Sequence, residues 1–276
     1  MSTTTKYWTH RLGTEGAWFL HPAPGPGGLA ALLGLFGIRV PEPPSVEGVN
    51  VTTRRVRSGS SLYHEGALAE AVYFVVAGTF KSLHVGLDGY EQVLGFSGRA
   101  ELLGYDAVYS GVHPTAAIAL EDSTVLALSL PDLSALCRSV PAFERALQRE
   151  LSRQLAQRMA IASLMAAVSA EARLARFLVQ WSDRMAECGQ SARRLRLRMS
   201  RRDIASHIGV AHETVSRSFS ALVQWGCLAV CNREVEILDP ERLRACASST
   251  RGLLDVATAS AVGGRLISHG AAHCAA

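Results

Sequence analysis

The feature that most constrains the fold is a long helical pattern in the middle of the chain. Between Pro141 and Val168, about 28 residues contain no glycine and no further proline, and apolar residues return on one face of a helix. A helix of this length must bury its apolar stripe, either on its own chain or, most simply, against a second copy in a two-fold homodimer. The residues predicted to form the dimer contact are Leu147, Leu151, Leu155, Met165 and Val168.

The chain on either side of this helix divides into segments of different composition. Residues 1–50 are rich in Gly and Pro and are interpreted as an N-terminal extension, whereas residues 51–135 contain short apolar runs separated by turn signals. Evenly spaced turns of this kind predict a compact antiparallel β-roll. We assign the long helix to residues 136–170, a second folded module to residues 171–247 and a flexible tail to residues 248–276.

Composition and hydropathy exclude several classes of protein. With 48% hydrophobic and 19% charged residues, the chain is neither disordered nor fibrous. Its longest apolar run, from Gly27 to Ile38, is far shorter than the ~20 residues that cross a bilayer, so no membrane span is expected. Residues 1–20 lack an apolar stretch of the signal-peptide type, which predicts a cytoplasmic protein.

Charge is distributed unevenly along the chain, whose net charge is +4. Residues 51–135 carry five basic and nine acidic side chains, whereas residues 193–217 carry seven arginines and two acids. An acidic body followed by a strongly basic module is typical of a chain that binds a polyanion with its C-terminal part. A solvated basic face without a partner would give the same charge pattern, so the residues within the module must decide between the two.

The basic module contains the pattern of a helix-turn-helix. Ser200 is a favourable N-cap and Asp203 stands three residues later, as in a capping box, so a helix is predicted to begin there and to end at Gly209. A second helix is predicted from His212 to Leu222, after a turn of three to four residues. This is the arrangement with which many proteins enter the major groove of double-stranded DNA.

One face of the second helix carries side chains suited to reading DNA bases. Arg217 can donate two hydrogen bonds to guanine, Glu213 can accept one from the amino group of cytosine, and Ser216 can contact a neighbouring base. Alternatively, Arg217 contacts a phosphate and Glu213 is its partner within the helix. The residues predicted to contact the DNA backbone are Arg198, Arg201, Arg202, His212 and Ser218.

The segment after this helix predicts the wing of a winged helix. Cys227 to Val230 and Glu234 to Leu238 have the pattern of two short strands, joined at Asn232-Arg233. The predicted fold class is therefore α+β, with an N-terminal antiparallel β-roll, a long dimerisation helix and a C-terminal winged helix-turn-helix. No pattern of catalytic residues accompanies this fold, so we expect a DNA-binding protein and not an enzyme.

The order of these parts and several motifs resemble the CRP/FNR family of bacterial transcription regulators, and most closely its FNR branch. The matching motifs are Ala77-Gly78-Thr79-Phe80-Lys81-Ser82, the segment from Gly104-Tyr105-Asp106-Ala107 to His113-Pro114, Ala119-Leu120-Glu121, and residues 199–226. The resemblance implies a jelly roll of the cyclic-nucleotide-binding type, a homodimer and contact with RNA polymerase. It also implies that Glu213, Ser216 and Arg217 read the inverted repeat TTGAT-N4-ATCAA, in gene control related to oxygen or redox state.

The chain departs from this family at the positions where its members bind a cofactor or an effector. Proteins like FNR bind an oxygen-sensitive 4Fe–4S cluster through cysteines, but residues 1–136 contain none and Leu126 occupies the matching β-roll position. Proteins like CRP bind the phosphate of cyclic AMP through an arginine, and the corresponding segment, Val112-His113-Pro114-Thr115, has none. We therefore predict no cofactor, neither the cluster nor cyclic AMP, as in the cluster-free FixK-type members.

The six cysteines form no regular framework, and we expect them to be reduced. Cys227 and Cys231 follow the second helix of the helix-turn-helix, where oxidation could disturb DNA binding. Buried small hydrophobes are the simpler interpretation of both residues, and their spacing is a weak signal for zinc.

The residues leave two further functions open. A small effector or a haem in the β-roll would make the same fold a ligand-dependent regulator, and His10, His21 and Cys137 are conceivable haem ligands that nothing in their spacing selects. A metal-binding protein of the cupin type is the most remote alternative. His64, His84 and His113 are isolated from one another, no His-x-His occurs, and Glu65 and Glu91 have no ligand-like spacing to these histidines, so no metal site is predicted.

Overall fold

Two folded units connected by a long helix make up the described part of this computed structural model, which is residues 27–38, 48–165 and 169–248. The first unit is an antiparallel β-roll and the second, which we call the C-terminal unit, is residues 169–248. The predicted α+β fold, with a β-roll, a long helix and a winged helix-turn-helix in that order, is confirmed.

The β-roll consists of two antiparallel sheets with four strands each. Its strands are β1 (Val51–Val56), β2 (Ser61–Tyr63), β3 (Ala71–Ala77), β4 (Phe80–Val85), β5 (Glu91–Ser97), β6 (Leu102–Leu103), β7 (Ala116–Ala119) and β8 (Ser123–Ser129). One sheet has the order β1-β8-β3-β6 and the other has the order β2-β7-β4-β5. Fully buried side chains such as Phe80 and Val125 contribute to the core of the roll.

Helices cover one side of the β-roll. They are α1 (Gly27–Leu35), α2 (Leu130–Ser139) and α3 (Pro141–Met165). Leu32 and Leu33 of α1 are buried in one apolar cluster with Phe74 of the sheet and Phe143 of α3. Residues 27–38 of the segment interpreted as an extension therefore belong to the core of the β-roll, because two leucines of α1 complete its apolar surface. The other residues of that segment, except 48–50, lie outside the described part.

The long helix α3 uses its apolar stripe in two ways. Leu147 is buried in the β-roll cluster and Leu151 packs beside it, so the first half of the stripe lies against the chain's own β-roll. Leu155, by contrast, is 62% exposed. Packing on the chain's own domain, the alternative to dimerisation, thus accounts for Leu147 and Leu151 but not for Leu155. Val168 and the side chain of Met165 lie outside the described part of the structure.

The C-terminal unit contains the predicted helix-turn-helix and wing. Its elements are α4 (Ala170–Glu187), β9 (Arg194–Arg196), α5 (Arg201–Ile208), α6 (His212–Gln224), β10 (Leu228–Cys231), β11 (Glu234–Ile237) and α7 (Pro240–Ser248). The two predicted wing strands pair as β10 and β11, with Asn232 at φ 53° in their turn. Strand β9, which the sequence did not predict, extends this sheet beside β11. Among the described helices, none is both long and apolar enough to cross a membrane.

The turn between β3 and β4 requires a glycine. Gly78 has a φ of +98°, a backbone conformation that residues with a side chain rarely adopt. A Cβ atom at this position would lie 2.6 Å from the Cβ of Ser123 and 2.8 Å from its Cα. The close approach of β8 and the backbone conformation therefore both select glycine in the Ala77-Gly78-Thr79 motif.

We predict that Gly78→Ala lowers the free energy of unfolding by more than about 2 kcal/mol, because backbone strain adds to a clash with β8. Urea denaturation followed by circular dichroism measures the change. Gly111→Ala is the matched control, since Gly111 also has a positive φ of +73° but a Cβ atom added there would meet nothing within 4 Å. That variant should lose only about 1 kcal/mol. Equal losses in the two variants would contradict the steric explanation.

Candidate nucleic-acid interface

The first helix of the helix-turn-helix, α5, is fixed by a reciprocal capping box. The hydroxyl of Ser200 accepts a hydrogen bond from the backbone N–H of Asp203 at 3.1 Å, and the Asp203 carboxylate accepts one from the N–H of Ser200 at 2.9 Å. Gly209 ends the helix in the left-handed conformation, with φ 66°. The predicted capping box and the predicted helix end are both confirmed. These contacts set the turn that places α6 after α5.

The second helix, α6, has one buried and one exposed face. Val215, Phe219 and Leu222 are at most 4% exposed and pack into the core of the C-terminal unit. Glu213, Ser216 and Arg217 are all exposed. In the described part of the chain, neither Glu213 nor Arg217 forms an ion pair, so the alternative in which they pair within the helix is not what the structure shows. Both charged groups are therefore available to an outside partner.

The residues predicted to contact the DNA backbone fall into different environments. Arg202 and His212 are exposed. Arg198 forms an ion pair with Glu121 of the β-roll, with its Nε 3.1 Å from the carboxylate. The guanidinium of Arg201 lies over the ring of Phe219, 3.4 Å from the ring centroid, and thereby connects α5 with α6.

Ser218 does not occupy a position from which it could contact DNA, so this prediction is wrong. Its side chain is fully buried and its hydroxyl donates a hydrogen bond to Glu171 of α4 at 3.3 Å. The physical reason is the helical period, because Ser218 follows Val215 by three residues and lies on the same buried face.

The C-terminal unit docks on the β-roll through α5. The hydroxyl of Ser206 accepts a hydrogen bond from the backbone N–H of Val93 at 2.8 Å and donates one to the carbonyl of Glu91 at 3.0 Å. Lys81 of β4 binds the Asp203 carboxylate at 2.9 Å, so the residue that caps α5 also connects it to the β-roll. Sequence reasoning missed these contacts, since their partners are more than 100 residues apart in the chain.

An aromatic cluster lies at the centre of this docking contact. Phe96 of β5 packs against Phe177 and Trp181 of α4, with ring centroids 5.9 and 6.2 Å apart, and against His207 of α5 at 5.1 Å. His207 is 6% exposed. Burial in this cluster lowers the pKa of His207 to about 4. The neutral imidazole is therefore the form that fits the interface.

The two cysteines considered as redox sites, Cys227 and Cys231, lie in different environments. Cys227 is fully buried and its sulfur lies 4.0 Å from that of Cys246 in α7, whereas Cys231 is exposed on β10. Burial raises the pKa of Cys227 and, with the neighbouring thiol, raises that of Cys246 to about 12. Since the thiolate is the reactive form, these two thiols are poor nucleophiles. Cys227 thus has the environment of a buried small hydrophobe.

A cavity of about 620 Å³ lies between the β-roll, α3 and the C-terminal unit. Leu94, Phe96 and Trp181 provide apolar parts of its wall. Its lining contains three arginines, and each is paired with a carboxylate: Arg153 and Arg184 with Glu101, and Arg158 with Asp106. A cyclic phosphate entering this cavity would find no unpaired arginine among the lining residues, so the charges do not fit cyclic AMP.

The same part of the structure can be compared with an iron–sulfur site and with a metal site. Leu126, at the β-roll position where a cluster ligand is expected by resemblance, is 2% exposed within the apolar core. His113 is buried and stacks on Tyr63, with ring centroids 3.8 Å apart. In residues 27–38, 48–165 and 169–248, no three side chains of His, Cys, Asp or Glu are grouped as a metal site. His10 and His21 lie outside the described residues.

A β-roll, a long helix and a winged helix-turn-helix with an exposed polar face define the class of DNA-binding transcription regulators. Two family models match the chain: a Crp-like helix-turn-helix domain over residues 172–246 and a cyclic nucleotide-binding domain over residues 53–140. Among solved structures, FixK2 from Bradyrhizobium japonicum is similar, with 28% identity, a TM-score of 0.64, and coverage of 73% of this chain and 99% of that chain.

Two curated relatives support the same conclusion. The fumarate and nitrate reduction regulatory protein of Salmonella typhimurium is 32% identical over 206 residues, which are 74% of this chain and 82% of that protein. The transcriptional activator protein Anr of Pseudomonas protegens is 34% identical over 197 residues, 71% of this chain and 81% of that protein. The chain belongs to the CRP/FNR family. It is a transcription regulator with a DNA-binding helix-turn-helix and not an enzyme.

We predict that the protein loses stability as the pH falls from about 6.5 to about 4, because the unfolded chain binds a proton at His207 that the folded chain excludes. The loss from this group is up to about 3 kcal/mol and levels off below its folded pKa. Urea denaturation at a series of pH values measures it. His207→Gln should flatten the dependence in this window, whereas His64→Gln, at an exposed position, should retain it. An unchanged slope in His207→Gln would contradict the assignment.

Proposed function

We propose that the chain binds DNA as a homodimer at the inverted repeat TTGAT-N4-ATCAA, with α6 of each subunit in a major groove. The observation that carries this proposal is the joint exposure of Glu213, Ser216 and Arg217 on α6 while the opposite face of the helix is buried. Two recognition helices on one two-fold axis suit two half-sites about one turn of DNA apart.

Each of the three exposed residues has a role that its chemistry supports. Arg217 donates two hydrogen bonds to the guanine of the half-site, and Glu213 accepts one from the amino group of a cytosine. Ser216 contacts a neighbouring base through its hydroxyl. A carboxylate is repelled by phosphates, so Glu213 in this place favours base contact over backbone contact.

Phosphate contacts supply affinity without sequence preference. Arg202, in the first turn of α5, and His212, the first residue of α6, are exposed and are suited to this role. Arg198 joins them after it has exchanged Glu121 for a phosphate. These contacts make binding dependent on salt, because each neutralised phosphate releases counterions.

The homodimer is supported by two exposed apolar side chains of α3. Leu155 is 62% exposed and Met159, one helical turn later, is 68% exposed. Two large apolar side chains in line on one helix favour a partner surface. The helical period could have identified Met159 in the sequence, because it follows Leu155 by four residues.

The biological setting of the proposal rests on the resemblance and on the relatives. One relative is named for fumarate and nitrate reduction and another for transcriptional activation. We extend from them the control of genes related to oxygen or redox state, contact with RNA polymerase and a cytoplasmic location. We propose no iron–sulfur cluster and no cyclic AMP for this chain, since Leu126 stands in the apolar core and the arginines around the cavity are paired.

A ligand-dependent regulator of the same fold is the second candidate. The observation that favours it is the cavity of about 620 Å³, which has the size of a small-molecule site and touches both units. An uncharged ligand would fit its apolar walls better than an anion, whereas the two propionates of a haem would need cationic partners beside them. The cupin alternative receives no support from the family assignment or from the grouping of potential metal ligands in the described residues.

We predict that Arg217→Ala removes the preference for the guanine of TTGAT and leaves weak, sequence-independent binding. The expected loss on the intact repeat is roughly 5- to 150-fold, since one base contact contributes about 1–3 kcal/mol. The measurement is a DNA titration at fixed salt, with protein prepared in air without metal or nucleotide, against the repeat and a repeat with its guanines changed.

Arg244→Ala is the matched control, because Arg244 is an exposed arginine of α7 outside the helix-turn-helix. Its binding should retain the guanine preference. An equal loss of Arg217→Ala on both DNAs would assign Arg217 to the phosphates. Failure of the wild type to bind either DNA until a ligand is added would favour the ligand-dependent candidate.

We predict that the double substitution of Leu155→Glu and Met159→Glu converts the protein from dimer to monomer, because four carboxylates would face each other in the contact. Sedimentation velocity measures the mass, and binding to the inverted repeat should fall at least about tenfold. Leu87→Glu, in the exposed β4–β5 turn, is the control and should stay dimeric. A dimeric double variant would place the contact elsewhere.

A further inference from the structure

A buried carboxylate connects three parts of the molecule. Glu101 lies between β5 and β6 and is 7% exposed. Its Oε1 accepts a hydrogen bond from Arg153 of α3 at 2.8 Å, and its Oε2 accepts one from Arg184 of α4. The β-roll, the long helix and the C-terminal unit therefore meet at the two oxygens of a single side chain.

Glu101 is held firmly within the β-roll. Its carbonyl accepts a hydrogen bond from the N–H of Val75 in β3 at 3.0 Å, and its own N–H donates to the carbonyl of Gly98 at 3.1 Å. The N–H of Gly98 also donates to Oε2 of the carboxylate at 2.9 Å. The backbone and the side chain are both fixed, so the carboxylate is a stationary point on the roll.

The two arginines are fixed on their helices in turn. Arg153 binds Glu150 of the same helix with its Nε and with one terminal nitrogen, both at 2.8 Å. Arg184 donates to the carbonyl of Phe96 at 2.9 Å, and its guanidinium lies 4.8 Å from the ring centroid of Trp181. Since each arginine is oriented by a second contact, its bond to Glu101 restrains the helix and not only a flexible side chain.

We propose that Glu101 is a positioning residue that sets the orientation of the C-terminal unit relative to α3. Arg153 belongs to α3 and Arg184 to α4, and we call the contact of both side chains with Glu101 the joint between these two helices. If α3 is the axis of the dimer, the joint also sets the distance between the two recognition helices. Glu101 then decides which spacing of half-sites the dimer accepts.

The consequence for DNA binding rests on the proposed function, whereas the consequence for the joint does not. Without the negative charge, Arg153 and Arg184 repel each other beside a buried site, and the joint opens. An open joint lets the C-terminal units take several positions, which weakens the preference for one spacing without removing base recognition.

The first part of the test measures how firmly the C-terminal unit stays docked on the β-roll, and it uses the full chain without DNA. The backbone N–H of Val93 is a reporter, because its hydrogen bond goes to Ser206 of the C-terminal unit at 2.8 Å. We expect Glu101→Gln to raise the hydrogen-exchange rate of this amide at least about tenfold. Asp183→Asn is the matched control, since it removes one negative charge beside Arg184 but from a pair within the C-terminal unit, with Arg244. It should leave the reporter unchanged.

The second part measures spacing preference. The affinities for TTGAT and ATCAA half-sites separated by three, four and five base pairs are compared at fixed salt. The wild type should favour one spacing by at least about tenfold, and Glu101→Gln should bring the three affinities to within about threefold of one another. A role in stability alone would lower all three affinities by one factor and would not change their ratio.

The outcomes separate the positioning role from the proposed function. Unchanged exchange at Val93 in a folded Glu101→Gln variant overturns the inference, and so does an unchanged spacing ratio. If the wild type binds none of the DNAs, the proposed function fails. The hydrogen-exchange measurement alone then tests whether Glu101 positions the C-terminal unit. If Glu101→Gln does not fold, as judged by circular dichroism, Arg184→Gln provides the same test, because it removes one end of the connection and leaves the Glu101 and Arg153 pair.

Discussion

The arrangement of the two units depends on one apolar contact, the insertion of Phe96 from the β-roll into the core of the C-terminal unit. The ring packs against aromatic side chains of α4 and α5 and belongs to the same buried cluster as the helix-turn-helix. Aromatic side chains bury a large apolar area, so separating the units would expose this cluster to water. The polar contacts of Lys81 and Ser206 surround it and fix the register of α5 on β5. The unit is thus anchored through α5, the first helix of the helix-turn-helix, and α6 keeps an exposed face.

One face of α6 stays exposed because the opposite face is buried in the core of the C-terminal unit. Val215, Phe219 and Leu222 hold the helix in the core, and the guanidinium of Arg201 covers the outer side of the Phe219 ring. Contact between a cation and an aromatic face contributes about 0.5–1 kcal/mol or more when partly desolvated. An arginine from the basic run therefore supports the position of the recognition helix. A basic residue near DNA can act through the protein as well as through a phosphate.

Local signals in the sequence were sufficient for the helix-turn-helix and the turn of the wing, because their causes lie within a few residues. The capping box at Ser200 and Asp203, the end of α5 at Gly209 and the wing turn at Asn232 all depend on neighbours in the chain. Ser218 shows the limit of arguing from residue type, since its hydroxyl suggested a phosphate contact while its helical position places it inside. The docking of the units could not be predicted, because Lys81 and Asp203 meet only after both units have folded.

The uneven charge of the chain has a structural use besides attraction to a polyanion. Glu121 of the acidic roll holds Arg198 of the basic unit at 3.1 Å, so this arginine must leave a carboxylate before it can bind a phosphate. The pair is about one third exposed on the arginine side, and such pairs contribute only about 0–1 kcal/mol. Exchanging Glu121 for a phosphate therefore costs Arg198 little free energy. That cost is subtracted from what its phosphate contact contributes to DNA binding. Arg202, the second residue of α5, is exposed and has no such carboxylate partner within the described residues. Binding of a phosphate by Arg198 therefore first breaks an ion pair with Glu121, whereas binding by Arg202 breaks none.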